Sequence, residues 1–190
     1  MNTYSSNEKG FSYIEVMIAL VILMVGLLGM LSALTANLLR SYEAEKRVAA
    51  KQIALSTIES ITAAKQIMRP GVVEGWESIR NTVDNPPVGE INGIFVNGMR
   101  PIREELGWDG VAGTVDDACE GIGACAVSGR PTNTSPVVQG FQREIIIADV
   151  EDPERPAPNP VSRRRITVNI RYYVNHLVRD ESVSTIVTNY

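Results

Sequence analysis

Few side chains in this 190-residue chain have the type and spacing to do chemistry, and the first of them is Glu15. It closes the run Lys9-Gly10-Phe11-Ser12-Tyr13-Ile14-Glu15 and stands directly ahead of 24 residues, Val16 to Leu39, that carry no charge. A carboxylate at the edge of such a segment is costly in lipid and usually functional. Two readings are open. In one, Glu15 snorkels to the interface or caps the first helical turn, where the helix dipole favours an anion. In the other, a cut after Gly10 frees an α-amine on Phe11, of reference pKa about 7.7–8.0, one turn away from the acid. Stacked subunits would then pair one copy's Glu15 with the next copy's amine, and the penalty for an unpaired buried charge would favour one register.

The remaining candidates lie toward the C-terminus. Cys119 and Cys125 are the only cysteines, and without a nearby histidine they do not make a zinc site. The stretch from Asp109 to Asp116 and Asp117, with Glu120 close behind, gathers carboxylates and glycines as calcium loops do. It lacks the alternating ligands and terminal glutamate of an EF-hand, so a solvated turn is the plainer reading and calcium the alternative. Arg163-Arg164-Arg165 has the charge to touch nucleic-acid phosphate or an acidic partner. Glu151, Asp152 and Glu154 precede it, so a charge-balanced loop leading into a strand is the plainer reading. His176 is the only histidine and has no arrangement from which a catalytic triad can be argued. There is no phosphate-binding loop and no dinucleotide glycine motif. The residues therefore argue for no enzyme and no cofactor, and a net charge of −4 makes no general case for nucleic acid.

The elements that must position these groups begin with a helix. Val16–Leu39 would span roughly 36 Å at about 1.5 Å per residue, enough to cross a hydrocarbon core of about 30 Å. No small-residue cleavage site follows it, so the segment is expected to stay in the protein. Residues 40–67 contain neither Gly nor Pro, and Arg69-Pro70-Gly71 ends the run, which predicts one helix from about Phe11 to Met68. On its exposed half, Ala44, Val48, Leu55 and Ile58 fall on one side and Tyr42, Ala49 and Ile53 roughly opposite. This reads either as two stripes, one for the protein's own domain and one for neighbours, or as one broad core stripe.

Past Pro70 the chain is loop-rich. Ile91–Val96 reads as a short hairpin turning at Asn92-Gly93. Arg165–Asn175 alternates strictly, with Ile166, Val168, Ile170, Tyr172 and Val174 on one face. Phe141–Val150 and Ser182–Thr188 are also β-rich, so the three predict an antiparallel meander. A proline-rich surface loop over 151–160 should form the first link, and a short link near Leu177–Asp180 the second. The expected class is α+β, a long N-terminal helix packed on a C-terminal antiparallel sheet.

The run K-G-F-S-Y-I-E-V-M-I-A-L resembles the class III signal peptide of type IV prepilins and type II secretion pseudopilins, with Tyr13 in place of the usual leucine. The resemblance covers Lys9 to about Leu39. Within that superfamily, Val25-Gly26-Leu27-Leu28-Gly29-Met30 is similar to the V-G-L-L-G run of PilV-type minor pilins, and no mid-segment proline is present. Gly26 and Gly29 read as sites of flexibility or close helix packing, or as merely tolerated glycines.

The resemblance implies a leader over 1–10, a transmembrane and filament-core helix over 11–39, a helix extension over 40–68 and a globular domain over 69–190. It implies cleavage after Gly10, N-methylation of Phe11 by prepilin peptidase, and the neutralising role for Glu15. The implied location is the bacterial inner membrane, single-pass, with the C-terminal domain in the periplasm, and the cell-surface pilus after assembly. Partners would be other minor and major pilins, the inner-membrane assembly platform and membrane lipid. The implied function is a minor pilin that helps prime or tip a type IV pilus in biogenesis, adhesion or twitching motility. A type II secretion pseudopilin and a DNA-binding competence pseudopilin are the alternatives. In that oxidising compartment Cys119 and Cys125 would close a local disulfide loop, although it precedes the last three strands whereas the pilin loop lies near the C-terminus.

Overall fold

The structure, a computed structural model, describes residues 10, 12–66, 75–86, 88, 92–107, 109–118, 135–156 and 158–189. It comprises a helix, α1, Tyr13–Ala64, followed by four strands: β1, Arg100–Arg103; β2, Val137–Val150; β3, Arg163–Val174; and β4, Leu177–Thr188. The fold is α+β, and the chain divides into two compact units, residues 1–44 and 45–190. The four strands form one antiparallel sheet in the order β1-β2-β3-β4.

The helix persists because its sequence offers no breaker from Tyr13 onward except Gly26 and Gly29, which an apolar segment tolerates. It closes at Ala64, before the predicted end at Met68, with Gln66 N–H donating to the Ala63 carbonyl in a tight turn. Residues 67–74 lie outside the described set, and so do Arg69, Pro70 and Gly71.

In the second unit the helix buries Ala50, Ala54, Thr57, Ile61 and Ala64, spaced by three and four so that they share one face. Of the two open readings this is the single broad core stripe, with other residues at its centre than those named for either side. Of the first set only Ile58 packs on the core, while Val48 is 55 % and Leu55 52 % exposed. Ala49 and Ile53, placed on the opposite side, flank the buried stripe instead. Small residues line the contact because they let the helix backbone approach the sheet, a signal that large apolar side chains obscure. The ends of the contact are pinned electrostatically. Arg47 Nε lies 2.8 Å and Lys51 Nζ 3.4 Å from Glu181 Oε1, and Lys65 Nζ donates to the Thr188 carbonyl at 2.6 Å. The helix therefore runs alongside β4 in the same direction.

β3 is the centre of the sheet. Ile166, Val168, Ile170, Tyr172 and Val174 are all buried, as the alternation predicted. Phe141 pairs in register with Tyr172, their ring centroids 6.3 Å apart, and Ile145 and Ile147 continue that face of β2. The short link between β3 and β4 is Asn175-His176, with Asn175 at φ 54°, so Leu177–Asp180 belongs to β4 and not to the turn. Asparagine tolerates that left-handed conformation, and the Arg171–Asp180 pair across the strands extends the ladder to the turn. β1 escaped prediction because it is four residues long and contains Pro101, which an edge strand accepts.

Among the described residues Asn92–Val96 form no hairpin, and Ile91, the first residue of the expected one, lies outside them. Phe95 instead bridges in parallel to Asn81, and the Asn92 side chain bonds both backbone groups of Val83. Gly93 packs so closely on the Arg80 and Asn81 backbone that a Cβ there would collide with it. The glycine serves a close approach rather than a turn.

Arg164 ties this loop layer to the sheet. It is fully buried at a core-facing position of β3, its guanidinium 4.5 Å from the Trp76 ring centroid. It donates to the carbonyls of Trp76 and Ile79 and, at 3.0 Å, to Asp149. Removing one member of such a buried set strands the others. Arg164→Ala should lower unfolding free energy by about 3 kcal/mol, read by urea denaturation of the detergent-solubilised chain through tryptophan fluorescence. Arg165→Ala, on the exposed face, should stay within about 0.5 kcal/mol.

Candidate functional site

The N-terminal junction is built from backbone and a single acid. Glu15 N–H donates to the Ser12 carbonyl at 2.9 Å and Val16 N–H to the same carbonyl at 3.3 Å, which starts the helix and sets Glu15 in its first turn. Gly10 is exposed, and nothing lies within 4 Å of the position that a Cβ would take there. Lys9 and Phe11 lie outside the described residues. Beyond Glu15 the helix surface is apolar and exposed through Leu39. The Thr35 hydroxyl bonds the Leu31 carbonyl at 2.9 Å, satisfying one of the few polar groups within the helix itself. Nothing within 4 Å faces Gly26 or Gly29, which leaves two open points on that surface. Among the described residues this is the one helix long and apolar enough to cross a membrane.

The acidic turn of the second unit is not the solvated turn that the sequence suggested. Asp116 and Asp117 are buried, and each is bound from within the turn. Thr114 Oγ1 donates to Asp116 at 2.5 Å, Asp109 N–H to Asp116 at 3.1 Å, and Gly113 N–H to Asp117 at 2.7 Å. Arg143 then reaches Asp117 at 2.7 Å and the Thr57 hydroxyl at 3.3 Å, joining β2, the turn and the helix. Burial is the largest influence on both partners, raising the Asp117 pKa and lowering that of Arg143. The pair therefore fixes position more than it adds stability. Gly113, at φ 98°, has its Cβ position occupied by the Ile145 side chain. Among the described residues no group of three or more His, Cys, Asp or Glu is placed to hold a metal ion. Sequence reasoning missed Arg143 because a charged residue at a core-facing strand position is recognisable only once its partner is known.

The arginine run divides by register. Arg163 pairs with Asp152 at 3.0 Å and Glu154 at 3.8 Å, the predicted charge balance. Arg164 is buried and Arg165 exposed. The 151–160 loop is anchored rather than merely extended, because buried Asp152 accepts from the Ser162 hydroxyl at 2.5 Å. That bond is the largest cause holding its carboxyl below the ordinary value. His176 is exposed in the β3–β4 turn. Cys119, Cys125 and Glu120 lie outside the described residues.

Residues 5–31 match the family model of the prokaryotic N-terminal methylation motif. Neither the curated proteins nor the solved structures yield a match. The chain carries the N-terminal segment of type IV pilin-like proteins, and its long helix with a C-terminal antiparallel sheet is the α+β arrangement of such a fold.

Asp109 gives the acidic turn a pH signature. Burial first, and then the neighbouring Asp116 charge, push its carboxyl up from 3.8 to about 7, against the Val111 N–H that it accepts at 2.7 Å. Between those values the folded chain holds a proton that the unfolded chain has lost, so stability falls as pH rises through the window and levels off above it. Thermal denaturation should show a lower melting temperature at pH 8 than at pH 5. Asp109→Asn should reduce that slope.

Proposed function

We propose that this chain is a minor pilin of PilV type: a structural subunit cut after Gly10, N-methylated on Phe11, and built into a type IV pilus by its N-terminal helix. The observation that carries the reading is the methylation motif at 5–31 running into an uninterrupted, exposed apolar helix surface. In water that surface would be strongly unfavourable, whereas lipid covers it before assembly and neighbouring helices cover it afterwards. The V-G-L-L-G run and the loop-rich C-terminal unit favour a pilus over a secretion pseudopilus. In this reading the C-terminal unit faces the periplasm and then the cell surface, while Glu15 neutralises the Phe11 amine of an adjacent subunit and sets register. Prepilin peptidase, the assembly platform and other pilins are the partners.

Deleting the gene should reduce surface pili and leave exoprotein release intact, counted by electron microscopy and assayed in culture supernatant. Normal piliation with failed secretion would transfer the chain to the pseudopilins. Glu15→Ala should be processed normally yet be missing from sheared filaments, and its incorporation at parental level would remove the register role.

A further inference from the structure

A half-open cleft of about 380 Å³ lies between β1, the segment around Val96–Gly98 and the turn at 113–117. Its apolar wall includes Val96, Pro101 and Ile145, and its cationic wall is Arg100, Arg103 and Arg143. Size and lining are those of a small-molecule site, mostly apolar with a few charged groups. Arg100 and Arg143 are direct cross-strand partners in the β1–β2 register, which places both side chains on the same face of the sheet. Like charges so placed destabilise a sheet unless something neutralises them.

The internal neutralisation is incomplete. Asp117 takes up Arg143, which is only 8 % exposed and so forms a fixed back wall. Among the described residues Arg100 and Arg103 reach only backbone carbonyls, Arg100 Nε to Asn97 at 3.4 Å and Arg103 to Ser135 at 2.6 Å. Among the described residues no carboxylate pairs with either. Counted over the described residues, the cleft thus holds two guanidinium charges in excess beside an apolar surface.

We propose that this cleft binds a small organic carboxylate, its anionic end held between Arg100 and Arg103 and its apolar body resting on Pro101 and Ile145. A guanidinium fork suits a carboxylate in geometry as well as charge. The apolar wall rewards a hydrocarbon body, which inorganic phosphate lacks. Nothing in this assignment depends on the pilin reading, since it concerns the second unit alone.

The test is calorimetric titration of the full chain in neutral-detergent micelles with benzoate and with hexanoate, each beside its uncharged amide. Saturable binding of a carboxylate, weaker by about tenfold or more for the amide, is expected from the loss of charge-assisted hydrogen bonds. The double variant Arg100→Gln, Arg103→Gln should lose affinity by a similar factor while melting as the parent does. Arg100→Lys, Arg103→Lys should retain part of it. The proposal is overturned if neither carboxylate binds, if the amides bind equally, or if the glutamine variant binds as the parent does. Preference for inorganic phosphate or for an acidic peptide over both carboxylates would also overturn it.

Discussion

An apolar helix surface that stands exposed among the described residues is the constraint on which everything else depends. From Val16 to Leu39 no side chain carries charge, and the large apolar ones stand exposed along the whole segment. Hydrogen bonds inside the helix satisfy its backbone, so it is compatible with lipid, but water is a poor solvent for its exterior. One carboxylate, Glu15, is placed in the first turn of this surface. An acid there is tolerable at an interface or beside a cation, and in the proposed reading the freed amine of a processed Phe11 supplies that cation.

The second unit answers a different requirement, which is to hold a four-stranded sheet on the part of the helix that follows Ala44. The contact uses Ala50, Ala54 and Ala64 with Thr57 and Ile61, so backbone proximity replaces side-chain bulk. Two buried arginines then tie the loop layer and the acidic turn to the sheet. Arg164 gathers the Trp76–Ile79 carbonyls onto β3, and Arg143 joins the acidic turn to β2 and to Thr57. Each takes its place because the register of its strand turns it inward. Each is accommodated because carbonyls or a carboxylate meet it there.

The same two residues mark where sequence reasoning stopped. The alternation over Ile166–Val174 was legible because every inward position is apolar. Extended one step back, it places Arg164 inward too, but a triple-arginine run with acids nearby reads as a solvated strand start. The meander was legible from three β-rich runs. β1 was not, since a short edge strand containing proline has no periodicity to detect. Val48 and Leu55 misled because hydrophobicity marks what avoids water and does not say which surface provides the cover. Asn92-Gly93 misled because its glycine serves packing against Arg80, whereas the true two-residue turn uses Asn175. At the N-terminus the motif was legible as a resemblance carried by the order Lys9-Gly10-Phe11 to Glu15 ahead of an apolar run, and residues 5–31 match the methylation motif.

The central claim is that Gly10–Phe11 is a processing junction and that the new N-terminus is the cation facing Glu15. Intact-mass and N-terminal peptide analysis of the chain, recovered from membranes of cells with and without prepilin peptidase, tests it most directly. The account predicts a chain beginning at methylated Phe11 when the peptidase is present and at Met1 when it is absent. A chain still carrying Met1–Gly10 in the presence of active peptidase would contradict it.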